Sequence, residues 1–381
     1  MSGTDALIFG LVVALRLLIP LGILRYPLPA IIAALVIDAA DQTIFQQTTN
    51  IDLEEFNYQG YDKALDIYYL AIAYIATFRN WRSGPAVLIA AGLWYYRLVG
   101  VTLFELTQWR PLLILFPNTF EYFFIFMAAV RLQWDDRKLS ARTVAAAAAA
   151  IWVFIKLPQE YWIHIAQLDF TDFVKEDLLG SVGTASWGDA FGTRPVVALL
   201  MAVIVVAALA VAVVVWRRLP SADYPLTFDA DNIPEAKAVD PSLPTHWGQG
   251  LGEKILLISL TVIIFSQALE TDAAVWRLTV AVTVIVASNA VLTQWLRRDR
   301  GAWTSTARAF GATLVLNIAI YVGLGILVST EGRDDITAAV LLLLLTLIVT
   351  LFDRYRSARG DLTVDDVHDL VRAVRHRPRT A

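Results

Sequence analysis

The chain has 381 residues, of which 57 % are hydrophobic and 17 % are charged, and it contains no cysteine. Soluble domains carry roughly 25 % charged residues, so this composition excludes an ordinary soluble globular protein. The formal net charge of −4 is too small to indicate a nucleic-acid partner, and the absence of cysteine excludes disulfides and thiolate metal sites.

Apolar residues occur in blocks of about 20, the length of helix that crosses a hydrocarbon core about 30 Å thick. The sequence therefore predicts an all-α protein, a polytopic bundle of about eleven transmembrane helices. The predicted spans are 6–24, 27–45, 61–78, 85–106, 111–130, 143–166, 195–216, 251–269, 275–296, 309–329 and 336–352. The N-terminus has no basic segment, so we expect the first span to stay in the membrane rather than to be cleaved as a signal peptide.

The first six spans contain many ionisable side chains. Among them, in chain order, are Arg16, Asp38, Asp41, Asp66, Arg97, Glu121, Lys156, Glu160 and His164. A charge at the bilayer centre costs about 2.5–3.5 kcal/mol, so each of these groups needs a partner or water. We therefore predict a polar cavity within spans one to six that opens outward.

Spans five and six each contain a proline next to polar side chains: Pro117 precedes Asn118, and Pro158 lies between Lys156 and Glu160. Proline kinks a helix and frees the carbonyl four residues earlier. Both prolines fall about 8–9 Å below the predicted outer surface, from the helical rise per residue. Broken helices at matching depth are typical of transporter sites, whereas two unrelated kinks are the alternative.

The predicted substrate-binding residues combine bases for an anionic group with carboxylates and an amide. They are Arg97, Lys156, Asp38, Asp66, Asn118 and Glu121. Glu160 and His164 follow Lys156 at positions i+4 and i+8, and we predict that they relay protons. The alternative is a Lys156–Glu160 ion pair with an interfacial histidine.

Asp38 and Asp41 share one helix face and have two possible roles. They bind a cation or a proton, or they are counter-ions to Arg97 or Arg16. The spacing of carboxylates and histidines matches no known metal motif, and we predict no metal, no cofactor and no catalytic residue.

A proline-rich, acidic segment divides the chain into seven spans and four. We predict an N-terminal membrane bundle with the polar site (1–218), a cytoplasmic linker (219–250), C-terminal membrane helices (251–352) and an amphipathic cytoplasmic tail (353–381). Asn289, Gln294 and Asn317 are isolated in the later spans, which favours hydrogen bonds between helices. Spans eight to eleven offer a surface for oligomerisation.

Alternate loops are basic, and among them are those with Arg25, Arg79, Arg131 and Arg217. The loops between them are acidic and poor in bases. Because basic loops stay on the cytoplasmic side, we predict a multi-pass protein of the cell inner (plasma) membrane with a cytoplasmic C-terminus.

Together these features predict a transporter or channel-like protein, coupled to protons, that contacts the lipid bilayer and a small polar or anionic solute. The alternative is an integral-membrane enzyme on an outer-leaflet lipid or lipid-linked substrate, with Arg97 and Lys156 holding the lipid headgroup. A third interpretation is a scaffold in which every buried charge is structural. None of the three involves nucleic acid.

Overall fold

The computed structural model describes residues 3–49, 58–166, 172–183, 185–232, 249–268, 284–285, 287–289, 303–327 and 335–359. Within these ranges every regular element is a helix, which confirms the all-α prediction. Most of the predicted span 275–296, the linker beyond residue 232 and the tail beyond residue 359 lie outside the described residues.

Thirteen α-helices of widely different length are numbered here within the described part. They are α1 (Gly3–Leu18), α2 (Pro27–Thr48), α3 (Tyr58–Asn80), α4 (Gly84–Thr107), α5 (Pro111–Leu115), α6 (Thr119–Val130), α7 (Ala141–Ile151), α8 (Leu157–Glu160), α9 (Trp187–Thr193), α10 (Pro195–Arg217), α11 (Gln249–Ala268), α12 (Trp303–Leu327) and α13 (Asp335–Arg359). A 3-10 helix, Ile19–Leu24, continues α1.

Five helical segments of the described chain are long and apolar enough to cross a membrane. They are Gly3–Leu24, Gly84–Thr107, Pro111–Val130, Ala141–Ile163 and Pro195–Arg217. Apolar helices of this length are compatible with an integral membrane protein, because only a helix satisfies its own backbone groups in lipid. The count of eleven spans and the course of the linker stay predictions.

The central element of the bundle is α3. All residues from Ile67 to Phe78 are buried, as expected for a helix that is apolar on every side. It packs against α1, the 3-10 helix, α2 and α4 from the N-terminal half, and against α11 and α13 from the C-terminal half. Helices from both halves of the chain therefore share one hydrophobic core around α3.

Buried polar contacts also join the C-terminal helices to α3 and α4. The carboxylate of Glu253 on α11 accepts hydrogen bonds from the Tyr74 hydroxyl and, at 2.7 Å, from Nε of Arg356. The Tyr95 hydroxyl donates to the Glu253 carbonyl at 3.3 Å. A second ion pair joins Lys254 to Asp353 at 2.7 Å, and it ties α11 to α13.

The isolated amides of the later helices form the hydrogen bonds that the sequence predicts. Asn289 donates to Asn317 at 3.1 Å, and Asn317 donates to the Thr346 hydroxyl at 2.9 Å. All three side chains are buried, so the chain of bonds fixes the register of their helices. Gln294 lies outside the described residues.

Helix α10 differs from the rest because none of its residues is buried. Its sequence is apolar on every side, and its main contact is with the short helix α9. A helix of this length that is apolar on every side is compatible with a membrane-spanning segment.

Several basic turns meet at one end of the bundle, which we call the basic end. Arg25 follows the 3-10 helix, Arg79 ends α3 and Arg131 follows α6. Nη1 of Arg79 donates to the Leu24 carbonyl at 2.6 Å, which holds the first two of these turns together. The alternation of basic and acidic loops in the sequence thus corresponds to a shared end in the fold.

The sequence predicts breaks at Pro117 and Pro158. The structure has the first, whereas the chain stays helical through Pro158 from Ala141 to Ile165 and only its turns are widened. Helix α5 ends at Leu115 and α6 begins at Thr119, so the fifth span is discontinuous. In the sixth span, π turns at Trp152–Lys156 and Tyr161–Ile165 flank the single α-helical turn α8, which contains Pro158. Such widened turns arise where a proline removes an internal hydrogen bond, and they often occur at functional sites.

The break at Pro117 packs tightly against α4. A Cβ atom added at Gly100 would overlap the side chain of Phe116, whereas one added at Gly92 on the same helix would meet nothing within 4 Å. We expect Gly100→Ala to lower the free energy of unfolding by about 1–3 kcal/mol, because the break must shift to relieve the overlap. Gly92→Ala is the matched control and should be neutral or stabilising by up to ~1 kcal/mol. Unfolding of the purified variants in mixed micelles measures both, and equal values would contradict the close contact.

Candidate functional site

One arginine in the first span lies among four aspartates; we call Arg16, Asp38, Asp41, Asp62 and Asp66 the Arg16 cluster. Nη2 of Arg16 contacts Asp38 and, at 2.8 Å, Asp66. Nη1 contacts Asp62 and, at 2.5 Å, Asp41. The aspartates come in pairs spaced i, i+3 on α2 and i, i+4 on α3, which places each pair on one helix face.

Burial divides this cluster into an inner and an outer part. The side chains of Arg16 and Asp41 are 4 % and 2 % exposed, whereas those of Asp38, Asp62 and Asp66 are 26 %, 35 % and 38 % exposed. One oxygen of each outer aspartate lies within 4.8 Å of the others, a spacing that suits a bound cation. The guanidinium of Arg16 already contacts all three of these carboxylates.

The charges in the Arg16 cluster do not balance. One guanidinium faces four carboxylates, and two unit charges 4 Å apart interact by about 4 kcal/mol at an effective dielectric constant of 20. With every group ionised, the cluster has a net charge of −3.

A second group lies between the broken helix of span five and the π-helical part of span six; we call Tyr69, Asn118, Glu121, Lys156 and Glu160 the Glu121 cluster. The Tyr69 hydroxyl donates to Glu121, and Nδ2 of Asn118 donates to the same carboxylate at 3.0 Å. The backbone N–H of Asn118, freed by the break at Pro117, donates to Glu160 at 3.3 Å. Glu121, Lys156 and Glu160 are each about 5 % exposed.

The two bases of this region contact protein groups. Nζ of Lys156 lies 3.9 Å from Glu160, donates to the Gln159 amide oxygen at 2.9 Å and lies 4.5 Å from the centre of the Tyr122 ring. Arg97 donates to the Phe116 carbonyl at 3.1 Å, in the break between α5 and α6. Arg97 therefore stabilises the break in span five, and Lys156 stabilises the turns around Pro158 in span six.

Helix α3 contributes to both clusters. Asp66 belongs to the Arg16 cluster, and Tyr69, three residues later, donates to Glu121. Arg97 lies beside the Glu121 cluster, at the break in the fifth span. The two clusters contain six of the predicted site residues: Asp38, Asp66, Asn118, Glu121, Lys156 and Glu160.

His164 lies in the last π turn of the sixth span, and its side chain is outside what the structure describes. Its predicted part in proton relay therefore stays a prediction. The sequence left Arg16 and Arg97 as possible counter-ions for Asp38 and Asp41. The structure pairs both aspartates with Arg16.

Sequence reasoning missed two members of the site, Asp62 and Tyr69. The repeat of Asp62 and Asp66 one helical turn apart is a signal that was available. Tyr69 carries no such signal, because its neighbours on α3 include further tyrosines that lie in the apolar core.

The chain matches no known family model, no curated protein and no solved structure. The geometry of the site is therefore the basis for a proposed function.

Removing the guanidinium tests the electrostatic role of Arg16. We expect Arg16→Met to lower the free energy of unfolding by about 3–5 kcal/mol, because it leaves the buried Asp41 and its three partly exposed neighbours without their counter-charge. Arg16→Lys keeps the charge but loses the forked geometry, so its loss should be smaller. Unfolding in mixed micelles measures both variants. A loss below ~1 kcal/mol for Arg16→Met would mean that the ion pairs do not hold α1 to α2 and α3.

Proposed function

We propose that this chain is an integral protein of the cell inner (plasma) membrane that transports a small polar or anionic solute in step with protons, as a transporter or channel-like protein. The observation that carries the proposal is that two polar clusters share helix α3: Asp66 belongs to the Arg16 cluster, and Tyr69, three residues later, donates to Glu121 of the second cluster. From Glu121 the second cluster continues through Asn118 to the buried Glu160 and Lys156.

The location of the Glu121 cluster at the break in span five, opposite the π turns of span six, supports transport. Discontinuous helices in membrane proteins offer free backbone groups to a solute while the rest of the span stays satisfied. Here the carbonyls of the break accept hydrogen bonds from Arg97 and the Tyr96 hydroxyl, and its free N–H donates to Glu160. These contacts are exchangeable, so a solute can replace a protein partner without leaving a buried group unsatisfied.

The excess of acids supports coupling to protons. The two clusters and the neighbouring Arg97 hold six acidic and three basic side chains. Such a site repels an anion until carboxylates are protonated, and Arg97 and Lys156 then hold the anionic group. Protonation of Glu121 or Glu160 also weakens the contacts of the break. Solute binding and proton uptake are linked in this scheme by the same carboxylates.

The distribution of bases supports the proposed orientation. With the basic end in the cytoplasm, the exposed aspartates of the Arg16 cluster face outward. The C-terminus is cytoplasmic in this arrangement. The polar cavity of spans one to six then opens away from the cytoplasm.

The first test measures the binding of protons. Proteoliposomes on a solid-supported membrane should give a transient current after a pH jump, because protons bind at carboxylates within the membrane. We expect Glu121→Gln to remove most of the displaced charge. Glu105→Gln is the matched control: Glu105 is equally buried, but it pairs with Lys63 at 3.1 Å, outside both clusters. It should leave the current unchanged.

A wild-type current in Glu121→Gln would contradict the proposal. Addition of amino acids, carboxylates and inorganic ions one at a time then identifies a solute that converts the transient into sustained proton flux. Turnover of a lipid by detergent-solubilised protein, with no second compartment, would favour the enzyme alternative instead.

A further inference from the structure

Residues 219–232, which we call the latch, follow α10 and cross the basic end of the bundle. The sequence of this segment is rich in proline and acids, which is typical of a solvated linker. In the fold it instead contacts turns that belong to four different helices.

The last part of the latch binds the turn after the 3-10 helix and the end of α3. Asp229 accepts from Nη2 of Arg25 at 2.9 Å, and the backbone N–H of Ala230 donates to the Arg25 carbonyl at 2.7 Å. Asp231 contacts the guanidinium of Arg79. One short stretch of the latch thus holds two turns that lie far apart in the chain.

The first part of the latch binds the connection between α6 and α7. The backbone N–H of Asp223 donates to the Gln133 carbonyl at 2.8 Å, and its carboxylate accepts from Nζ of Lys138 at 2.7 Å. The Tyr224 hydroxyl donates to the carbonyls of Arg131 and Trp134. Three acids of the latch, Asp223, Asp229 and Asp231, therefore pair with bases of the loops.

These contacts are numerous but individually weak. The side chains of Arg25 and Lys138 are 58 % and 67 % exposed, and salt screens exposed pairs of this kind. Within the latch only Asp229 and Ala230 are buried. Lys138 and Arg25 hold the pKa of Asp223 and of Asp229 below the usual carboxyl range, so the pairs stay charged. An attachment without an apolar core can detach as one unit.

We propose that residues 219–232 are a detachable latch that fastens the basic ends of the 3-10 helix, α3 and α6, and that its release uncovers this end of the bundle. Release would also open the polar site to the basic side, and this part of the proposal rests on the proposed transport function. The detachment of the latch does not depend on that function. Helix α10 precedes the latch and has no buried residue, so it can follow the movement.

The absence of native cysteine allows a single-cysteine test in the full chain. Ala230→Cys reports detachment of the latch, because Ala230 is 4 % exposed while the latch is bound. Leu24→Cys reports whether this end of the bundle opens when the latch leaves: Leu24 is 5 % exposed within the hydrophobic core, and it precedes the Arg25 carbonyl that the latch contacts. Ser221→Cys replaces a side chain that is exposed in the bound latch, and it sets the rate for a free thiol.

Each reporter is labelled in proteoliposomes with a membrane-impermeant maleimide, with and without Asp223→Asn and Asp229→Asn together. We expect the double substitution to raise the labelling rates of Ala230→Cys and Leu24→Cys about tenfold, because it removes two of the ion pairs. High salt should do the same in the unsubstituted latch. Labelling of Ser221→Cys should not change in either case.

The matched control is Asp177→Asn with Asp189→Asn, two exposed acids outside the latch. It should leave all three rates unchanged. Unchanged labelling of Ala230→Cys in the latch variant, with its thermal unfolding intact, would overturn the proposal. Faster labelling of Ala230→Cys without that of Leu24→Cys would show that the latch detaches but covers nothing, and would overturn its second half. The pH-jump current is measured on the same samples: its absence in the unsubstituted chain rejects the transport proposal and leaves the labelling result to judge the latch.

Discussion

The structure depends first on one guanidinium that holds together four carboxylates from two helices. Without Arg16, α2 and α3 would bring four negative charges together with no counter-charge among them. With it, α1, α2 and α3 are joined by directional ion pairs at one level. The same constraint leaves a surplus of acid, and the proposed coupling to protons rests on that surplus.

A polar site of this size needs a rigid apolar frame, and α3 provides it. Its side chains are buried continuously from Ile67 to Phe78, and the core around it includes Phe352 and Tyr355 from the C-terminal half. Glu253 is a charged group of α11 that enters this core with its partners, a tyrosine and an arginine. The break in span five and the π turns in span six are the irregular parts of the frame.

Much of this could be predicted from the sequence, because apolar length and proline position are local properties. The helices and the break at Pro117 follow from them directly. The continuity of the helix through Pro158 and the choice of Arg16 over Arg97 as counter-ion do not, since they depend on how the helices pack against one another. The acids of the latch resemble those of any solvated linker. Only the fold places Arg25, Arg79 and Lys138 opposite them.

The apolar helix Pro195–Arg217 has a consequence for how its sequence can vary. Its described side-chain contacts lie near its two ends, where Val197, Ala198 and Met201 pack beside α9 and Trp216 lies against Trp134. Between them, a membrane span needs only apolar character and sufficient length. Valine, leucine and alanine can therefore exchange there, and we expect substitutions to accumulate in this stretch while the aspartates around Arg16 are retained.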